Sequence, residues 1–161
     1  MKLKKFLLMP VAALCMLACN EKDLKPVADN VAGTYIGTLD MQVGGNSAGT
    51  SELTVILTKT SESTVSLSII NKEAPSGGMT ISRLEIGEIT VTDAGNSVCT
   101  LYKPIPEKGF TAVDTGSDNK IVWTFKSFSG SVKEGVLNLD MVAQPGAMPM
   151  PITMAFEGSK K

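Results

Sequence analysis

The sequence predicts an all-β domain: a single antiparallel β-barrel of about eight to ten short strands. Three observations carry this. Apolar residues alternate with polar ones in run after run. The runs are separated at roughly 8–12-residue spacing by Gly, Pro, Asn, Asp and Ser clusters. No stretch shows a convincing amphipathic helical period. Periodicity alone leaves a two-sheet sandwich open. Closure into a barrel has the advantage of removing exposed strand edges.

The strands follow in order. Thr34–Val43 places Tyr35, Leu39, Met41 and Val43 on one face, and Gly44–Gly49 is a loop. Leu53, Val55 and Leu57 alternate with Thr54, Ile56 and Thr58. Val65, Leu67 and Ile69 alternate with serines, and the turn Ser61–Ser63 makes these two runs a hairpin. Ala74–Gly78 breaks the pattern. Thr80–Asp93 then reads as one long strand, bulged around Gly87. A turn at Asp93–Asn96 leads to a strand at Val98–Tyr102. Lys103–Asp118 is loop-rich, with a short strand near Phe110–Val113. Ile121, Trp123 and Phe125 mark the next strand; Leu137, Leu139 and Met141 another; Ile152, Met154 and Phe156 the last.

The first 19 residues carry an address. Lys2, Lys4 and Lys5 precede an apolar run, Phe6–Ala18, and then Cys19. A basic start, a short greasy core and a small residue before the cleavage point make a secretory signal. The run is shorter than the roughly 20 residues that a membrane span requires. A cysteine directly after Ala18 indicates a bacterial lipoprotein signal, with Cys19 lipidated and becoming the mature N-terminus. The organisation expected is a signal peptide at 1–18, a lipidated cysteine and tether at 19–31, a barrel at 32–158 and a short tail at 159–161. Asn20, not aspartate, follows Cys19, so no inner-membrane retention signal is evident. The expected location is the outer membrane, at its periplasmic face or the cell surface.

Composition narrows the function. Three of the 15 basic residues lie in the signal, leaving 12 against 16 acidic residues and a net charge of −4. No basic patch stands out, which argues against a nucleic-acid partner. The chain contains no histidine. That excludes a Ser-His-Asp triad, a Cys-His pair, a His-ligated metal and imidazole acid–base chemistry. Beyond Cys15 and Cys19 only Cys99 remains, so the mature domain forms no internal disulfide, and Cys99 reads as a small buried strand residue. No catalytic motif, cofactor site or metal site is expected.

Val31-Ala32-Gly33-Thr34-Tyr35-Ile36-Gly37-Thr38-Leu39 opens the folded part, and Met154-Ala155-Phe156-Glu157-Gly158 closes it. With a lipoprotein signal in front, this pairing resembles the calycin-like (lipocalin-like) β-barrel lipoproteins of Gram-negative bacteria, over residues 31–158. The resemblance implies a closed barrel whose first and last strands are neighbours. It implies no known activity and carries over no catalytic residue. Lipocalins proper have a tryptophan in the opening motif where this chain has Tyr35.

Four residues are candidates for binding: Tyr35, Trp123, Met148 and Met150. Trp123 is the one tryptophan, and aromatics line ligand cavities. Met148-Pro149-Met150 sits in a proline-punctuated loop, where thioethers make adaptable apolar surfaces. Asp40 and Asp140 are strand carboxylates opposite the apolar face, a pair that only proximity could turn into glycosidase chemistry. The expected function is a lipid-anchored outer-membrane binding module that holds a small apolar ligand in or at the mouth of the barrel. The alternative is a filled barrel acting as an interaction module or accessory subunit of an envelope complex. A histidine-independent hydrolase comes third, without a motif.

Overall fold

The computed structural model describes residues 25–71, 81–116 and 120–161. The signal peptide, Cys19 and the start of the tether lie outside the described residues. Among the described residues one short helix, α1 (Val27–Val31), precedes nine strands. These are β1 (Gly33–Val43), β2 (Asn46–Lys59), β3 (Thr64–Ile70), β4 (Arg83–Gly95), β5 (Val98–Tyr102), β6 (Phe110–Asp114), β7 (Ile121–Lys133), β8 (Val136–Pro145) and β9 (Ile152–Lys160).

Every strand pairing is antiparallel, and β1 pairs with both β2 and β9. β3 pairs with β4, so the sheet closes into a barrel. The neighbouring first and last strands are those that the resemblance implies. The barrel has eight rails rather than nine. β5 pairs with the upper part of β4 and with Ser129–Lys133 of β7; β6 pairs with Ile121–Phe125 of β7 and touches β4 at Leu84↔Asp114 alone. β5 and β6 therefore share one rail, interrupted by residues 103–109.

The strands form where alternation put them. β3 reads half-buried, buried, half-buried along its length, with Val65, Leu67 and Ile69 inward. β4 changes phase, with Leu84 and Ile86 inward before Gly87 and Ile89 and Val91 inward after it. The register slips there, as Val65 pairs with Ile89 but Leu67 with Ile86. This is the expected bulge, which adds a residue and returns apolar side chains to the lumen.

Two local expectations are revised. Gly44–Gly49 is not a six-residue loop. Gly44 and Gly45 take φ of 59° and 81°, the left-handed pair of a two-residue hairpin turn, and β2 resumes at Asn46. Residues 27–31 are helix rather than tether, with Ala28 and Val31 buried against the barrel. Five residues are too few to show a helical period in sequence.

The lumen is lined by buried apolar side chains. Tyr35, Leu39, Met41, Val55, Leu67, Leu84, Ile89, Trp123, Phe125, Leu137, Met154 and their inward neighbours form one continuous buried cluster. Each of these named side chains exposes no more than 1% of its surface.

Candidate functional site

The two ends of the barrel differ. At the first, α1 lies across the opening. Ala28 N–H donates to the Glu62 carbonyl at 3.1 Å, and Lys59 pairs with Asp29 at 2.8 Å. Tyr35, a candidate ligand residue, is fastened here instead. Its hydroxyl donates to the Val31 carbonyl at 2.6 Å, and the Lys160 ammonium stands 5.9 Å from its ring centroid. Burial, with a smaller contribution from Cys99, pushes the Tyr35 hydroxyl up to about 12. Tyr35 thus binds the helix to the barrel.

A cavity of about 410 Å³ opens beside it, lined by Asn30, Asp93, Gly95, Asn96, Ser97 and Cys99. Burial raises the Cys99 thiol, the charge of Asp93 raises it further, and a hydrogen bond with Asn30 opposes both. A thiol held protonated is a poor nucleophile, in keeping with Cys99 as a packed strand residue.

At the opposite end the chain leaves apolar side chains in solvent. Trp123, Met148 and Met150 belong here, so the structure gathers three of the four candidates and separates Tyr35 from them. Trp123 is fully buried between its register partners Ala112 and Pro145, and its indole N–H has no hydrogen-bond partner among the described residues. The β8–β9 loop continues from Pro145. Gly146 N–H donates to the Val122 carbonyl at 2.8 Å, and the Gln144 amide donates to the Met148 carbonyl. Met148 is half-buried, Met150 is 47% exposed, and the Met150 methyl reaches toward the Gly44 turn. Ile121 and Val122 at the start of β7, and Val113 opposite Val122 on β6, are also exposed. Val113, Ile121, Val122 and Met150 are four of the six large apolar residues exposed among the described residues. The other two, Ile36 and Tyr102, lie on the side wall.

Asp114 was not a candidate on sequence. It is the one buried charged residue among those described, 2% exposed. Its carboxylate accepts the backbone N–H groups of Ser82 at 2.8 Å, Arg83 at 2.9 Å and Gly116 at 2.9 Å. Charge-assisted bonds of this kind are strong, and here they tie the start of β4 to the end of β6. Two of its three donors stand 31 and 32 positions away in the chain, beyond any local motif; the third, Gly116, is two residues on.

The structure does bring Asp40 and Asp140 near each other. Both are in register with Ala155, one on each side of it, on the outer wall formed by β1, β9 and β8. Two strand spacings separate their backbones by about 10 Å. With Thr38, Asn138 and Glu157 they line a shallow depression of about 310 Å³. Asp40 accepts a hydrogen bond from the Gln42 amide at 3.1 Å. Asp40 is half-buried and Asp140 exposed.

A model of the calycin-like beta-barrel domain matches residues 31–159. No curated protein matches the chain. Among solved structures, the chain is similar to a Bacteroides fragilis protein provisionally named an outer membrane protein, with a TM-score of 0.67 and 25% identity. The match covers 84% of this chain and 53% of that one, so the chain spans about half the length of that protein. With the closed barrel, the β1–β9 pairing and the family model all covering the same residues, the chain belongs to the calycin-like β-barrel family.

Proposed function

We propose that this protein is a lipid-anchored outer-membrane binding module that engages an envelope protein through the apolar rim opposite its anchor. The rim carries the reading: Val113, Ile121, Val122 and Met150 are exposed together at one end of the barrel. Exposed apolar clusters rimmed by polar residues mark interaction surfaces. The other end supports it. Six residue steps separate Cys19 from Lys25, which gives at most about 20 Å of chain between lipid and α1. A lipidated Cys19 therefore holds the α1 end at the membrane and presents the rim outward. The similarity to a protein provisionally named for the outer membrane accords with the location.

The test is a Val122→Asp, Met150→Asp double variant of the full-length protein. Both side chains point into solvent, so its thermal midpoint should stay within a few degrees of wild type. On native gels of gently solubilised membranes, wild type should run in a larger assembly and the variant alone. Identical migration of the two would refute the rim as the docking surface.

A further inference from the structure

We infer that Met150 is a site of reversible oxidation: a peroxide converts its thioether to the sulfoxide, and the sulfoxide closes the rim to its partner. The closing of the rim rests on the rim as docking surface; the site of oxidation does not.

Exposure selects the sulfur. Met150 is 47% exposed, whereas Met41 and Met141 each expose 1% and Met154 none. Met148 is half-buried, so Met150 is the most open methionine among the described residues. The loop keeps it there. Pro149 and Pro151 bracket Met150 and restrict the backbone. The Gln144 amide holds the Met148 carbonyl, and Gly146 N–H holds the Val122 carbonyl at 2.8 Å. The Met150 methyl carbon meets the Gly44 turn at ordinary contact distance, 3.7 Å from where a β-carbon on Gly44 would lie. The side chain thus reaches from one loop to the next turn at the rim, with its flank in water.

The oxidation needs no help from the protein. The Met150 sulfur attacks one oxygen of hydrogen peroxide, an S–O bond forms and the O–O bond breaks. Sulfur gives up two electrons and the peroxide takes them. The departing hydroxide removes the proton from the new S–OH group and leaves as water. No acid, base or metal enters, which suits a chain without histidine. The competing sulfur is the Cys99 thiol, but it is buried, and burial and the charge of Asp93 keep it protonated, the slow form toward peroxide.

The product changes the rim. Oxidation turns a flexible apolar side chain into a polar one. Val113, Ile121 and Val122, the other exposed apolar residues at this end, offer no side-chain donor to the new oxygen. Docking would bury that oxygen unpaired, which opposes association. A bound partner covers Met150, so peroxide acts on the free protein and blocks its docking.

The experiment treats the full-length protein with hydrogen peroxide and follows peptide masses over time. Met150 should gain oxygen at least about tenfold faster than Met41, Met141 or Met154, whose sulfurs wait for the barrel to open. Equal rates at the four would overturn the site. On native gels of gently solubilised membranes, a dose that oxidises Met150 and spares those three should release wild type from its assembly. A pair of reductases, one for each sulfoxide epimer, should restore it. Met150→Gln, polar without peroxide, should run alone. An assembly that survives oxidation of Met150, or that Met150→Gln joins as wild type does, overturns the switch. Wild type running alone before any peroxide overturns the rim reading and the switch together, while the order of oxidation still decides the site.

Discussion

Tyr35 and Asp114 show how two single side chains hold the ends of this barrel. Tyr35 is fully buried and its one polar atom is bonded to Val31. Its raised pKa makes a pH prediction. In the unfolded chain the phenol ionises near 10, whereas in the fold it stays protonated to about 12. The stability this supplies is intact below pH 10 and is lost as pH climbs through about 12. Tyr35→Phe should cost about 1 kcal/mol at neutral pH through the lost hydrogen bond. In denaturant titrations the gap between wild type and variant should shrink above pH 10 and close or reverse by pH 12. A gap independent of pH would contradict the buried, neutral phenol. Asp114→Ala strips three backbone donors of their acceptor and should cost about 2–4 kcal/mol, read as a lower urea midpoint with an unchanged slope. Legibility at this scale was uneven. Trp123 stood out by being alone and Met148 and Met150 by clustering, and all three fall at the open end. Tyr35 was read as a binding residue because sequence shows an aromatic on a lumen face but not the carbonyl that its hydroxyl meets.

The elements explain why most of the fold could be read beforehand. Strict alternation fixes which face is buried, since a one-residue slip would turn each apolar side chain outward. The bulge near Gly87 was visible as a change of parity between Ile86 and Ile89. Helix α1 and the division of one rail into β5 and β6 were not visible. The first is too short for a period, and the second depends on two partners, β4 and β7, that local pattern does not name. Closure itself rests on close backbone approach. Gly37 faces Gly158 where β1 meets β9, and a β-carbon on Gly37 would stand 2.0 Å from the Glu157 carbonyl oxygen. Gly37→Ala should therefore force the closing strands apart and cost about 1–3 kcal/mol. Hydrogen exchange should localise the damage to β1 and β9. A variant as stable as wild type would show that the closing pair has slack.

At the scale of the molecule, the two ends divide the work. One is sealed by α1 and joined to the tether; the other carries the exposed apolar rim and the loop with Met148 and Met150. On the proposed reading, the outer surface at the second end recognises the partner. The direct measurement is photo-crosslinking in intact cells, with a photoreactive residue at Val122 on the rim or at Asn96 beside α1. The account predicts one discrete protein adduct from Val122 and none of that size from Asn96. The same adduct from Asn96, or no protein adduct from Val122, would contradict it.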